Sequence, residues 1–335
     1  MTQKLTLCLV GPRGGGKSAA LATFTDCIVQ NAHGYPAELR PAAQSITRAA
    51  FHGLDSEASR LDILDTGADE YQRLRRDFAE GGAPTEATRL HEYFFRMTLN
   101  GEASPPLAER RPVLARIIDA AGAASIADES APQEASRELR DDFVKKLAEA
   151  DAIVLVLQMT RFEDSGWVGN LARLVERLAF AADCRAKRVV IAFSHYERLF
   201  VRLGPSAFTY ACDPAVALHV LRGALCASSW SDGLRTLEAS GRAAVRFTVF
   251  SSHGFVKGFQ NPNIDPHSRG DKRFRRAGVD GRRGFNEFWR PFLTADPFLY
   301  AAFDLENAFM FSFAQIDAST PAGRSPSMRN STRSS

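Results

Sequence analysis

Short apolar runs recur along most of the chain and predict the strands of one sheet. They lie at residues 5–10, 93–99, 112–118, 153–157, 188–193 and 244–250. Residues 153–157 (IVLVL) are continuously apolar, as expected for a central parallel strand that is covered on both faces. Residues 93–99 and 112–118 are joined by a polar, proline-containing segment, and this spacing predicts that the two strands form a long hairpin.

The segments between these runs predict helices at residues 17–30, 69–80, 137–150, 167–182, 214–227 and 297–307. Leu139, Phe143 and Leu147 recur at helical spacing, so the third segment carries one apolar face. Residues 69–80 are rich in charge and predict an exposed helix that ends at Gly81-Gly82. The alternation of strands and helices predicts a three-layer α/β fold, with a central, mostly parallel sheet and helices on both faces.

A glycine-rich turn joins the first strand to the first helix. It reads GPRGGGKS and matches G-x-x-x-x-G-K-[ST] in the strand-then-helix context that this phosphate-binding motif requires. Glycines let the backbone N–H groups surround an anion, and the helix adds the positive end of its dipole. The lysine supplies a charge for the β- and γ-phosphates, and the serine hydroxyl suits Mg²⁺. The predicted nucleotide-binding positions are Gly11, Pro12, Arg13, Gly14, Gly15, Gly16, Lys17, Ser18 and Ala19.

The apolar run at residues 112–118 ends in Asp119-Ala-Ala-Gly122, the pattern DxxG. An aspartate at the carboxyl end of a strand can reach Mg²⁺, and a glycine leaves its N–H free to approach a γ-phosphate. A competing match, residues 61–67 (LDILDTG), has its glycine one position early and precedes the predicted hairpin. We therefore assign the nucleotide site to Asp119 and Gly122, and we interpret residues 61–67 as a strand or turn.

Length and composition set the expected domain organisation. A chain of 335 residues corresponds to two domains at ~150 residues each. The continuous strand–helix alternation instead favours one enlarged domain that spans residues 1–316. We expect this domain to contain an insertion at residues 31–80 and a basic loop at residues 265–284. Residues 317–335 are rich in Ser, Thr, Arg and Pro and predict a disordered tail.

Charge and cysteine content limit the classes of partner. A net charge of +3 is too small to indicate nucleic acid as the partner of the whole chain. The basic loop could dock an acidic partner, but its glycine and charge content fits a solvated loop better. The five cysteines show no C-x-x-C spacing, which indicates reduced thiols. No run reaches the ~18 apolar residues of a membrane span and no apolar signal segment precedes the loop, so we expect a cytoplasmic protein.

The order of these motifs resembles the Ras-like (TRAFAC-class) P-loop GTPase domain. A phosphate loop is followed by a threonine-bearing loop, a strand pair, DxxG and further apolar strands with polar tips. The insertions and the C-terminal segment are similar to bacterial double-GTPase-type families associated with conflict systems. The resemblance implies that GTP and Mg²⁺ are handled by Lys17, Ser18, Thr85, Asp119 and Gly122. Thr88 is the alternative to Thr85 as the threonine that joins Mg²⁺ and γ-phosphate.

The base-recognition motif of that family, N-K-x-D, aligns with Ser194-His195-Tyr196-Glu197. Only its acidic position is retained, with a glutamate in place of the aspartate. A carboxylate selects guanine because it accepts from two N–H donors of the base, and the extra methylene shifts that geometry without abolishing it. His195 would stack on the base, and Ser251 and Ser252 would lie near it. Because the motif is altered, ATP is not excluded.

The position after Gly122 is a further departure from the family. It is Ala123, where Ras-type proteins carry the glutamine that orients water, so we expect slow hydrolysis that a protein partner assists. We interpret Arg13, which replaces a glycine of Ras-type loops, as a solvated loop residue. The sequence therefore predicts a GTP-binding molecular switch. The alternatives are a non-hydrolysing interaction module and an ATP-using P-loop protein.

Overall fold

The computed structural model describes most of the predicted strands and helices. The described residues are 3–12, 14–31, 62–63, 68–79, 90–97, 113–119, 133–160, 172, 175–176, 186–226, 230–256, 258–264, 289–304 and 306–318. Much of the predicted insertion, most of the predicted helix at residues 167–182, the basic loop and residues 319–335 lie outside them.

Seven strands of the described part of the chain form the main sheet. They are β1 (Gln3–Val10), β2 (Asp62–Ile63), β3 (His91–Met97), β4 (Val113–Asp119), β5 (Ala152–Gln158), β6 (Arg188–Ser194) and β7 (Ala244–Val249). Their order in the sheet is β2-β3-β4-β1-β5-β6-β7. β3 runs antiparallel to β2 and β4, whereas every pair from β4 to β7 is parallel. The predicted hairpin and the mostly parallel sheet are therefore confirmed.

Helices cover both faces of this sheet. Those of the described residues are α1 (Lys17–Asn31), α2 (Ala68–Ala79), α3 (Gln133–Glu149), α4 (Ala207–Ala211), α5 (Pro214–Cys226), α6 (Ser231–Ala239), α7 (Asp296–Phe303) and α8 (Phe313–Asp317). The connections from β1 to β4 and from β4 to β5 run in opposite directions across the sheet, so right-handed crossovers place α1 and α3 on opposite faces. None of the described helices is long and apolar enough to cross a membrane.

This arrangement confirms the predicted three-layer α/β fold. The phosphate loop follows β1, the antiparallel pair β3–β4 comes next, and β5 to β7 extend the sheet on the other side of β1. The order of these elements is the one that the Ras-like resemblance implies, and the fold is a three-layer α/β P-loop fold. The boundary of the domain at residue 316 and the narrower likeness to bacterial double-GTPase-type families stay predictions.

An aromatic cluster joins α1, α2 and α7 to one face of the sheet. The ring of Phe24 lies 5.1 Å from that of Phe95 and 4.8 Å from that of Phe298. The ring of Tyr71 lies 5.0 Å from that of Phe95. The prediction that residues 69–80 form an exposed helix is therefore wrong in one respect, because Tyr71 and Phe78 on α2 are buried. The two positions are seven residues apart and share one face of the helix.

The region after β7 differs from the prediction. No strand was predicted after residue 250, but residues 251–254 begin β8 (Ser251–Val256), which pairs antiparallel with β9 (Trp289–Phe292). The partner strand lies more than thirty residues away in sequence, so local pattern does not reveal the pairing. A 3₁₀-helical segment, Tyr196–Ser206, and the helices α6 and α8 were also missed. α8 ends at Asp317, one residue into the predicted tail.

Candidate functional site

The phosphate loop lies at the carboxyl edge of the sheet, between β1 and α1. Gly11 has a φ of 148°, and a Cβ at this position would lie 2.2 Å from the carbonyl oxygen of Val156 on β5. Gly16 has a φ of 95°, and a Cβ there would lie 3.1 Å from the Cβ of Ser194 on β6. Both positions need glycine for backbone conformation and for space. The loop is therefore packed closely against the ends of β5 and β6.

Lys17 lies at the start of α1 and is buried. Its Nζ donates to the carbonyl oxygens of Gly11 at 2.7 Å and of Pro12 at 3.1 Å. Burial lowers the pKa of Lys17 to about 8, and the nearby charge of Asp119 acts in the opposite direction. The ammonium is therefore held against the loop, where phosphate oxygens can replace the two carbonyls as acceptors.

Ser18 and Asp119 form the second part of the site. Residue 119 pairs with Leu9 at the ends of β4 and β1, so its side chain lies beside the loop. The Ser18 hydroxyl donates to Asp119 Oδ2 at 3.0 Å. Asp119 Oδ1 is buried and has no hydrogen-bond partner among the described residues. Burial raises the pKa of Asp119, and the Lys17 charge and the Ser18 hydrogen bond oppose that rise.

The donor set of Ser18 and Asp119 fits a magnesium ion. Mg²⁺ is held in proteins through oxygen ligands, commonly one or two carboxylates together with phosphate oxygens and water. Asp119 Oδ1 offers a buried oxygen that the described residues leave without a hydrogen bond, and the Ser18 hydroxyl lies next to the same carboxylate. A cation at this place would also compensate the buried negative charge.

Five of the residues singled out from the sequence lie outside the described residues: Arg13, Thr85, Thr88, Gly122 and Ala123. His91, the first residue of β3, pairs directly with Asp119. In sequence, Thr88 precedes His91 by three positions and Thr85 precedes it by six.

The competing motif at residues 61–67 contributes β2 to the sheet. β2 is the edge strand, and β3 and β4 separate it from β1 and the phosphate loop. The described part of this motif, Asp62–Ile63, therefore lies away from the phosphate loop, as the interpretation of the motif as a strand implies.

Ser194 at the end of β6 is a site residue that the sequence reasoning missed. Its buried hydroxyl lies 2.6 Å from the carbonyl oxygen of Gly15 and 3.1 Å from that of Leu157. It also lies 2.8 Å from His195 Nδ1. The hydroxyl therefore connects the phosphate loop to β5 and to His195, the second residue of the aligned base-recognition motif. The available signal was a polar residue directly after a buried strand, at the first position of the aligned N-K-x-D motif.

Glu197 follows β6 in the 3₁₀-helical segment and is completely buried. His253 Nδ1 lies 3.5 Å from its Oε1. Neither carboxylate oxygen makes a hydrogen bond of good geometry with any described residue. Burial alone would raise the pKa of Glu197, but the contact with His253 and weaker effects of His195 and Ser251 outweigh it and lower the pKa. The contact with His253 thus favours the ionised form of this buried carboxyl group.

The other predicted base-site residues surround this carboxylate. His195 has a left-handed backbone with a φ of 62°, and its ring lies 5.9 Å from that of His253 in an edge-to-face arrangement. The Ser251 hydroxyl accepts a hydrogen bond from the N–H of Gly254 at 2.6 Å. Ser252 is buried, and its hydroxyl has no partner among the described residues. The structure thus brings together residues at the start of the 3₁₀-helical segment and at the start of β8, which follow the carboxyl ends of β6 and β7.

The solved structures that are similar to this chain include the following two. The first is the GTPase-like domain of S. cerevisiae Ski7 bound to GTP, with 12% sequence identity and a TM-score of 0.33 over 75% of this chain and 43% of the Ski7 chain. The second is the G domain of the T. maritima FeoB iron transporter, with 11% identity and a TM-score of 0.28 over 75% of this chain and 89% of the FeoB chain. This chain thus spans less than half of the Ski7 chain.

No family model matches the sequence. A search of curated proteins also finds no match.

Proposed function

We propose that this domain is a molecular switch that binds GTP with Mg²⁺ and hydrolyses it slowly, with the assistance of a protein partner. The observation that carries the proposal is the buried pair Lys17 and Asp119, with the Ser18 hydroxyl bonded to that aspartate, beside a closely packed glycine loop. A buried lysine and a buried carboxylate that lacks a partner on one oxygen are costly unless a ligand makes use of them.

Each of these residues has a separate role in the proposal. The N–H groups of the loop and the start of α1 hold the phosphates, because both present positive dipoles to an anion. The Lys17 ammonium exchanges its hydrogen bonds to the loop carbonyl oxygens for contacts with the β- and γ-phosphates. Ser18 and Asp119 hold Mg²⁺, which supplies charge neutralisation between the phosphates when it is bound. Thr85 or Thr88 joins the γ-phosphate from the preceding loop, and Gly122 offers its N–H.

The choice of GTP rests on Glu197. This carboxylate lies where the aligned motif places the acidic residue, and it is anionic and buried, as a guanine-reading group needs to be. Slow hydrolysis rests on Ala123, because alanine cannot orient a water molecule as glutamine does. A protein effector and a cytoplasmic location belong to the same proposal, since a switch acts by presenting different surfaces to partners.

Single-turnover hydrolysis tests the proposal. Excess protein is mixed with labelled GTP, with Mg²⁺ or with a chelator, and phosphate release is followed over hours. We expect slow, Mg²⁺-dependent release that Lys17→Ala abolishes. Lys145→Ala is the matched control, because Lys145 is exposed on α3 and lies outside the site. Turnover that survives Lys17→Ala would contradict the proposal.

A second candidate is a non-hydrolysing module whose bound nucleotide supports the fold. Ala123 and the altered base motif favour it, because both weaken features that active GTPases of the Ras-like kind retain. In the same experiment, tight binding of GTP with no release of phosphate would support this module over the switch.

A further inference from the structure

The carboxylate of Glu197, which we assign to base recognition, contacts the imidazole of His253. His253 lies on β8, and its Nδ1 is 3.5 Å from Oε1 of the completely buried Glu197. The imidazole is itself mostly covered, with 13% of its side chain exposed. A carboxylate in the interior needs a donor or a cation close by, and the described residues place the Nδ1 of His253 next to Glu197.

The imidazole ring contacts two other rings. Phe78 of α2 stacks on it with ring centroids 5.8 Å apart and an angle of 16° between the planes. His195 contacts it edge to face at 5.9 Å. Offset stacking and edge-to-face contacts are the favoured geometries of aromatic pairs. Flat aromatic neighbours and a ring nitrogen near a carboxylate are also the surroundings that a purine base requires.

The position of this ring relative to the phosphate loop matters. A Cβ on Gly16 would lie 3.8 Å from Cε1 of His195, so His195 adjoins the loop, and the His253 ring contacts both His195 and Glu197. A nucleotide whose phosphates occupy the loop places its base outside the carboxyl ends of the strands. A base that contacts His195 and Glu197 therefore competes with the imidazole for the same two neighbours.

We propose that His253 is an internal substitute for the base, which occupies the guanine pocket of the nucleotide-free protein and must be displaced before guanine contacts Glu197. This inference rests on the proposed GTP binding. Imidazole is the five-membered half of a purine, and its ring nitrogen approaches the carboxylate as an N–H of guanine would. Phe78 on α2 stabilises the position in which His253 fills the pocket, so α2 controls access of the base to Glu197.

The consequence is a reduced affinity for guanine nucleotides in particular. When the binding-competent form is only a fraction of the population, the observed affinity falls by that fraction. If the pocket is open in about one molecule in ten or fewer, removal of the imidazole raises the affinity for GTP at least about tenfold. Ligands that use only the phosphate loop do not compete with His253, so their affinity is unchanged.

Equilibrium binding of GTP, ATP and inorganic tripolyphosphate by wild type, His253→Ala and Phe78→Ala tests the inference. We expect His253→Ala to bind GTP at least about tenfold more tightly than wild type, with tripolyphosphate unchanged. Phe78→Ala shifts GTP affinity in the same direction by a smaller factor, because the imidazole loses one of its two ring contacts. His219→Ala is the matched control, because His219 is exposed on α5, and it leaves all three affinities unchanged.

A measurement on wild type keeps the test valid if a variant misfolds. The ¹⁵N resonances of His253 should shift when GTP is added and stay in place when tripolyphosphate is added. Wild-type binding of GTP with neither a His253 shift nor a gain in His253→Ala would overturn the inference and leave the proposed function standing. Failure of wild type and both variants to bind GTP would overturn both. Binding of GTP by His253→Ala alone would support the inference in its strongest form.

Discussion

At the scale of single residues, Lys17 and Asp119 bring opposite charges into the protein interior beside the phosphate loop. Burial lowers the pKa of the first to about 8 and raises that of the second. Burial therefore disfavours the charged form of each side chain, and the charge of each partly stabilises the charged form of the other. Groups arranged in this way respond strongly to a polyanion and a divalent cation, because these ligands supply the missing compensation.

The pKa of Lys17 leads to a prediction about pH. The nucleotide-free protein loses the Lys17 proton as pH rises through about 8, whereas bound phosphates favour the charged form and raise that pKa. Above pH 8, binding therefore takes up a proton, and the affinity falls as the pH rises. Below pH 8, the contribution of Lys17 to the affinity does not change with pH. Calorimetry with tripolyphosphate from pH 6 to pH 9.5 measures this profile.

Lys17→Arg serves as the control in that titration, because arginine keeps its charge over the whole range. Its affinity should be lower overall and should lack the decline above pH 8. An identical decline in Lys17→Arg would assign the proton to another group.

Asp119→Asn should separate stability from function. The raised pKa of Asp119 means that its ionised form is less favourable in the folded protein than in the unfolded chain. Loss of this charge should therefore leave the melting temperature of the nucleotide-free protein unchanged or higher. The gain in GTP affinity on addition of Mg²⁺ should fall at least about tenfold, as it does for loss of metal-supporting groups elsewhere.

Asp142→Asn, an exposed change on α3, is the control and should alter neither quantity. A large drop in melting temperature for Asp119→Asn, with the Mg²⁺ effect retained, would show that Asp119 has a structural role.

At the scale of secondary-structure elements, the end of β6 joins the two halves of the site. Ser194 contacts the phosphate loop through Gly15, and Glu197 lies three residues further along the same segment. A residue that moves at Glu197 is therefore only three positions from Ser194, which contacts the phosphate loop directly. The pairing of β6 with β5 and β7 fixes this segment in place.

Ser194→Ala should weaken nucleotide binding without unfolding the protein. It removes the hydrogen bond to Gly15 and leaves a buried carbonyl oxygen with fewer partners, which costs about 1–3 kcal/mol. We expect affinity for both GTP and tripolyphosphate to fall by about five- to hundredfold, since the loop itself is affected. Ser240→Ala, at the end of α6, removes a hydrogen bond to a helix carbonyl and is the control. Equal effects of the two variants would contradict a role of Ser194 in the loop.

The same elements show which parts were predictable from sequence. β1, β5, β6 and the glycine loop follow from continuous apolar runs and a local motif, so their prediction needed no long-range information. Glu197 and Ser194 could be placed at a strand end but not assigned their neighbours. The contact between Glu197 and His253 depends on β8, whose pairing with β9 arises from a distant segment. The burial of Phe78 likewise depends on the place where α2 packs.

At the scale of the whole molecule, the C-terminal residues complete the support of the site. Phe298 on α7 packs against Phe24 of α1, and the Thr294 hydroxyl donates to the carbonyl oxygen of Thr23 at 3.3 Å. Residues 309–311 approach the edge of the sheet, where Phe311 and Phe247 exchange backbone hydrogen bonds of 2.8 Å. The helix α1, which begins at the phosphate loop, is therefore packed against the C-terminal part of the described chain.

Competition among nucleotides tests the central claim most directly. A labelled GTP analogue bound in the presence of Mg²⁺ is displaced by unlabelled GTP or ATP, with wild type and with Glu197→Ala. We predict that GTP displaces the label from wild type at a concentration at least about tenfold lower than ATP does, as loss of hydrogen bonds to a buried carboxylate implies. The difference should disappear in Glu197→Ala. Equal displacement by both nucleotides from wild type, a preference for ATP, or no binding of the label would contradict the account.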